Sequence, residues 1–214
     1  MGTNNVTSNW QVLLSTDEKR LLRSLNSPRK IQGYLDSIPI NHEPKGDTCS
    51  SPRRVMREKR AHCIEGAMFA ALAFRLHGQL PLVLDLTSSP RDYDHVIALF
   101  RQHGCWGAIS KTNHACLRYR EPVYKTIREL VLSFFHEYYN DVGEKTLRSF
   151  SQPVNLSRFD RLGWATREEE NWEIAEYLAD VRHVPLLTRA QIATLRKADA
   201  TELKAGKIVE WKKR

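Results

Sequence analysis

Apolar residues recur at helical spacing in the first third of the chain and switch to strand spacing in the middle. Leu21, Leu22 and Leu25 follow a capping position at Ser15 or Thr16, and Asp17 and Glu18 suit the positive end of a helix dipole. Pro28 interrupts that helix. Ile31, Tyr34, Leu35 and Ile38 share one face of a second, short helix over Lys30 to Ile38, which Pro39 ends. Pro39 to Ser50 is rich in turn formers and reads as loop. Ser51-Pro52 is an N-cap followed by proline in the first turn, so a short helix is expected as far as about Lys59. The next helix begins near His62 or Cys63 and runs through Gly78. Ile64, Ala67, Met68, Ala71, Leu72, Phe74 and Leu76 make it apolar around most of its circumference, as a central helix must be. Gly66 and its neighbouring alanines leave room for other backbone to approach.

The period then becomes two. Leu80 to Leu86 is a strand apolar enough to be buried, and His95 to Phe100 sets His95, Ile97 and Leu99 against Val96, Ala98 and Phe100. A short connection leads into Trp106 to Ser110, so an antiparallel hairpin is expected, with Ser110 beside His95. Helical spacing returns over Pro122 to Tyr139, residues 140 to 160 read as a strand or covering segment, and helices are expected around Trp172 to Val181 and Thr188 to Ala198. The last residues read as a short helix and an extended end anchored by Ile208 and Trp211, and residues 1 to 9 as a frayed polar start. No repeat or linker divides the chain. The pattern predicts an α+β fold in one domain over residues 10–214, with a core over about 28–160 and helical decoration over about 161–214.

With 214 residues and 41% apolar composition the chain is long enough to bury a core. It has no apolar run of membrane-spanning length, and MGTNNVTSNW lacks both the basic start and the apolar run of a secretory signal, so a soluble, cytoplasmic protein with no membrane partner is expected. Cys49, Cys63, Cys105 and Cys116 contain no CxxC pair and read as free thiols. A net charge of +8 is compatible with an anionic partner. Aromatics do not interleave with the basic runs at Arg53 to Arg60 and Lys207 to Arg214 in the manner of a stacking platform, however, so these runs read as solvated faces and not as a nucleic-acid surface. His103, Cys105, His114 and Cys116 lie around one hairpin without the spacing of a zinc site, and neither metal nor cofactor is expected.

A thiol reacts as its thiolate, and a helix N-terminus favours the thiolate. Cys63 has that position, with His62 and Arg60 as nearby sources of positive charge. Against this stands the common role of a lone cysteine as buried filler. His95 is the candidate base; a satisfied core imidazole is its structural alternative. Ser110 and Asn113 are the candidates to orient that imidazole, and the amide of Asn113 is the favoured one, with Asp92 and Asp94 next. Trp106 is placed as hairpin packing near the cleft and as a candidate substrate contact. Glu65 reads as a surface or local ion-pair residue and not as an acid.

Taken together, Ser51-Pro52 ahead of a short helix, HCIEGAMFAALAFRLHG with Cys63, DHVIALF with His95 and GCWGAIS with Trp106 resemble the transglutaminase-like branch of the papain-like cysteine protease fold, over roughly residues 28 to 115. The resemblance implies a cysteine-bearing central helix packed on an antiparallel sheet, with additional helices at both ends. In that family the cysteine is the nucleophile, the histidine is the base, and the residue four beyond the tryptophan is commonly aspartate; here it is Ser110. The activity implied by the resemblance is acyl transfer through a thioester on a peptide or protein substrate or a small amide. Cys63 attacks, His95 shuttles the proton, and a backbone amide at the helix start stabilises the oxyanion. The alternative is a catalytically inactive papain-like module that binds peptide or protein, since Ser110 supplies no charge behind His95.

Overall fold

The computed structural model describes residues 10–212, so the frayed start expected over residues 1 to 9 lies outside the described residues. After a 3-10 turn at Trp10–Leu13 come α1 (Thr16–Ser24), α2 (Pro28–Ser37), α3 (Pro52–Glu58) and α4 (Cys63–Leu76). Ser15, Ser27 and Ser51 each cap the helix that follows by accepting a backbone N–H, and Pro28 and Pro52 start α2 and α3 where a missing donor costs nothing. Lys59 closes α3 in the left-handed conformation, φ 51°.

Seven strands come next among the described residues and form one antiparallel sheet: β1 (Leu82–Ser88), β2 (His95–Gln102), β3 (Cys105–Ile109), β4 (Arg120–Tyr124), β5 (Leu147–Ser151), β6 (Val154–Asn155) and β7 (His183–Pro185). Their order is β4-β3-β2-β1-β5-β7, with β6 pairing the start of β1. In the β2-β3 hairpin Ala98 pairs with Ile109 and Gln102 with Cys105, so the chain leaves β3 alongside the start of β2.

The strand alternation sorts the core into two layers. Val83, Val96, Ala98, Phe100 and Ile109 face α4 and share a cluster with its Phe69 and Phe74 and with Trp164; Leu84, Leu86, Ile97, Leu99 and Ala108 face the other way, onto α5 (Ile127–Phe135). From Ile64 to Phe74 every residue of α4 is buried, as its apolar circumference requires. The fold is α+β.

Downstream of β3 the elements depart from the expected ones. The helix expected from Pro122 begins only at Ile127, because Pro122, Val123 and Tyr124 belong to β4 and Thr126 with Glu129 forms the capping box that starts the helix. A long helix over Thr188 to Ala198 is replaced by α7 (Arg189–Ala193); the backbone N–H of Ala198 turns away to the carbonyl of Gly143. The region after 160 supplies more than helices. Besides α6 (Trp172–Asp180) and α8 (Ala200–Gly206), it gives the edge strand β7 and the buried Trp164. No helix among the described residues is long and apolar enough to cross a membrane.

Candidate active site

Cys63 is the first residue of the 14-residue helix α4, and its thiol is half-buried. Two imidazoles flank it. The Nδ1 of His62 lies 3.9 Å from Cys63 Sγ, and His95, at the start of β2, acts on the same sulfur from the sheet. Burial by itself pushes the thiol up, but the influence of the two rings, His62 first and His95 after it, outweighs it and holds the Cys63 pKa at about 5. On His62 burial acts downward and is outweighed by Cys63, by Glu65 and by the Thr48 carbonyl, so the ring is raised to about 9. The two shifts are one effect seen from both partners: a thiolate and an imidazolium favour each other.

The tautomer of His95 is set by its neighbours. Its Nε2 lies 2.7 Å from Ser110 Oγ, and the single hydroxyl proton of Ser110 goes to the carbonyl of Leu117. Ser110 therefore accepts from His95 Nε2–H, which leaves Nδ1 as the ring nitrogen not committed to Ser110. Ser110 is itself held by Gln32 of α2, whose side chain accepts from the Ser110 backbone N–H at 3.1 Å and donates to its carbonyl at 2.9 Å.

Asn113 does not take the orienting role favoured for it. Its amide accepts from the backbone N–H of Trp211 at 2.8 Å and donates to the Trp211 carbonyl at 2.9 Å, so both ends are committed to the tail of the chain. Asp92 and Asp94 are committed as well, to Thr146 Oγ1 and to the Ser88 backbone N–H. Trp106 sits at the far end of the hairpin, opposite Arg101 and Tyr124, with the Arg101 guanidinium 5.6 Å from its ring. Four steps of strand separate it from Ser110, roughly 13 Å at the rise of a pleated strand.

Lys111 joins the strand end to the helix. Its Nζ donates to the carbonyls of Leu35 and Ile38 at 2.7 and 2.6 Å, closing the C-terminus of α2, and burial brings its pKa down to about 8. Its Cβ approaches α4 so closely that a Cβ placed on Gly66 would lie 2.5 Å away. Gly66 is thus the point at which the helix bearing Cys63 touches the segment bearing Ser110.

Glu65, expected as a surface or local ion-pair residue, is paired locally with His62 at 3.6 Å but is not at the surface. It is completely buried and accepts from Thr48 Oγ1 (2.8 Å), the backbone N–H of His62 (2.9 Å) and of Ser50 (3.0 Å), and the Asn41 amide (3.2 Å). Burial raises this carboxyl and the His62 charge with those donors brings it below its ordinary range. The overlooked signal was its place as the third residue of a helix that starts at Cys63, the position from which a glutamate reaches back to the N-cap.

Compared with known proteins, the sequence matches no family model and no curated relative. A cavity of about 470 Å³ opens beside His95, bordered by Tyr93, Cys116, Glu137, Tyr138 and Lys207; Cys63 does not line it. The basic run ahead of Cys63 is partnered by acids: Arg53 meets Glu18, Arg54 meets Glu58 and Glu170, and Arg57 meets Glu168. Among the described residues, no group of three or more His, Cys, Asp or Glu side chains is placed to hold a metal ion.

Proposed function

We propose that this chain is a cysteine-dependent enzyme of acyl transfer or amide hydrolysis, built on a papain-like core of the transglutaminase-like kind. The observation that carries the reading is the Cys63 thiol at a helix start, held toward its thiolate between two imidazoles. The order of helix, hairpin and Ser110 along the chain supports the fold part of the proposal.

In the proposed reaction the Cys63 thiolate attacks the acyl carbon of a peptide, protein or small amide. Backbone amides of the first turn of α4 meet the oxyanion. The carbon–nitrogen bond breaks, and the leaving amine carries off the proton that the thiol gave up to imidazole. Water or a second amine then attacks the thioester. His95 Nδ1 takes its proton, and sulfur leaves as thiolate.

The test is a thioester. Incubation of the protein with an activated acyl ester, followed by intact-mass and peptide mapping, should place one acyl group on Cys63, and Cys63→Ala should abolish it. Acylation spread evenly over the cysteines, or none at Cys63, would refute the proposal. A second reading, a papain-like module that binds peptide without turnover, is favoured by the uncharged hydroxyl behind His95. Peptide binding that survives both Cys63→Ala and His95→Ala, with no thioester, would select it.

A further inference from the structure

The second imidazole has no counterpart in a simple Cys-His pair. His62 points Nδ1 at the sulfur and Nε2 at the carbonyl of Thr48, 2.8 Å away. A carbonyl only accepts, so Nε2 carries a proton whatever the state of Nδ1. Two carboxylates stand near the same nitrogen, Glu43 Oε1 at 3.5 Å and Glu65 Oε1 at 3.6 Å. An imidazolium at a helix N-terminus is ordinarily opposed by the helix dipole. Here the charge is offset on one side by buried Glu65 and on the other by the sulfur.

We propose that His62 is the resting proton holder of the Cys63 thiol, and that Glu65 is the residue that positions it. The step is a proton transfer: the S–H bond of Cys63 breaks, the electron pair stays on sulfur, and a new N–H bond forms at His62 Nδ1, with no change in net charge. The inference rests on Cys63 being the proposed nucleophile, and it divides the work between the imidazoles. His62 keeps the thiolate between turnovers; His95, locked by Ser110, receives the proton of the incoming water or amine and gives it up to solvent, from which His62 regains its own. The carboxylate absent behind His95 is present behind His62.

The groups that face His62 and set its titration are few. Cys63 and Glu65 come from α4, and Glu43 and the Thr48 carbonyl come from the loop before α3. Cys49, on that loop, is fully buried, is pushed up by burial and is bonded to the Asn171 carbonyl, so it stays a neutral thiol. His95 acts from across the sulfur.

The experiment is the pH profile of Cys63 alkylation by iodoacetamide on the full chain, from about pH 4 to about pH 9, with the modified residue located by peptide mapping. Wild type should be half-maximal near pH 5. His62→Gln should move the midpoint up by about two units, making alkylation at pH 5 on the order of 50-fold slower. Glu65→Gln should move it in the same direction by less, and a conserved midpoint in folded His62→Gln overturns the proposal. Should His62→Gln not fold, the imidazole resonances of His62 decide the matter. In wild type they should titrate near pH 9, and in Cys63→Ala the midpoint should fall by more than about one unit, because the ring has lost its anion. Equal midpoints in the two proteins overturn it. A midpoint near 5 that His62→Gln leaves in place defeats this inference alone, whereas a wild-type Cys63 that alkylates like an ordinary thiol and forms no thioester defeats the nucleophile as well.

Discussion

The two histidines beside Cys63 are supported by opposite means. Behind His62 stands a buried carboxylate whose oxygens are saturated by Asn41, Thr48, Ser50 and the His62 backbone. Behind His95 stands a hydroxyl that hands its own proton to Leu117 and is clamped through its backbone by Gln32. A carboxylate favours the charged ring, whereas the hydroxyl fixes which ring nitrogen faces it and one orientation. An imidazole can thus be held either by charge or by a relay of neutral hydrogen bonds, and the Cys63 thiol has one of each beside it.

The contrast is undone most severely on the His62 side. Glu65→Leu removes the carboxylate that accepts from the Ser50 and His62 backbone N–H groups, Thr48 and Asn41 and that offsets the His62 charge, and should cost about 3–5 kcal/mol of stability, with Glu65→Gln well below that, in denaturant unfolding. Equal losses for the two variants would mean that volume and not charge is what Glu65 provides. Gly66→Ala attacks the contact between the sides. Its Cβ collides with that of Lys111, and the variant should lose about 1–3 kcal/mol and slow Cys63 alkylation together. On the His95 side, Gln32→Leu removes both bonds to the Ser110 backbone and should cost about 1–2 kcal/mol. Ser110→Ala is the mildest, with a stability loss of about 1 kcal/mol or less. It should nevertheless slow thioester turnover more than it slows Cys63 alkylation, because it frees the His95 ring without touching His62. If alkylation and turnover fall in parallel, the two imidazoles do not divide the work as inferred.

The parts of this arrangement that the sequence shows are those governed by local pattern. Ser51-Pro52, the start of α4 at Cys63 and the β2-β3 hairpin arise from caps, periodicity and a short connection, and the hairpin register places Ser110 beside His95. The hidden parts depend on side chains meeting across long separations. Asn113 is a sound amide partner by chemistry, yet the tail of the chain takes both of its polar ends. Glu65 looks like one more charged residue until the loop holding Asn41, Thr48 and Ser50 folds over it. Gln32 shows only as a polar residue between Ile31 and Leu35, and nothing local announces that it faces a strand end 78 residues away.

The tail that occupies Asn113 also matters at the bench. Trp211 is bonded to Asn113, the Ala115 N–H to the carbonyl of Ile208, and His114 Nδ1 to that of Gly206, so the chain after α8 is laced onto residues 113–115. Two residues further along, the Leu117 carbonyl receives the proton of Ser110. A purification tag or fusion partner joined beyond Trp211 leaves the body at the segment that sets the angle of the His95 ring. A label meant to report on this protein without disturbing its chemistry is better attached elsewhere.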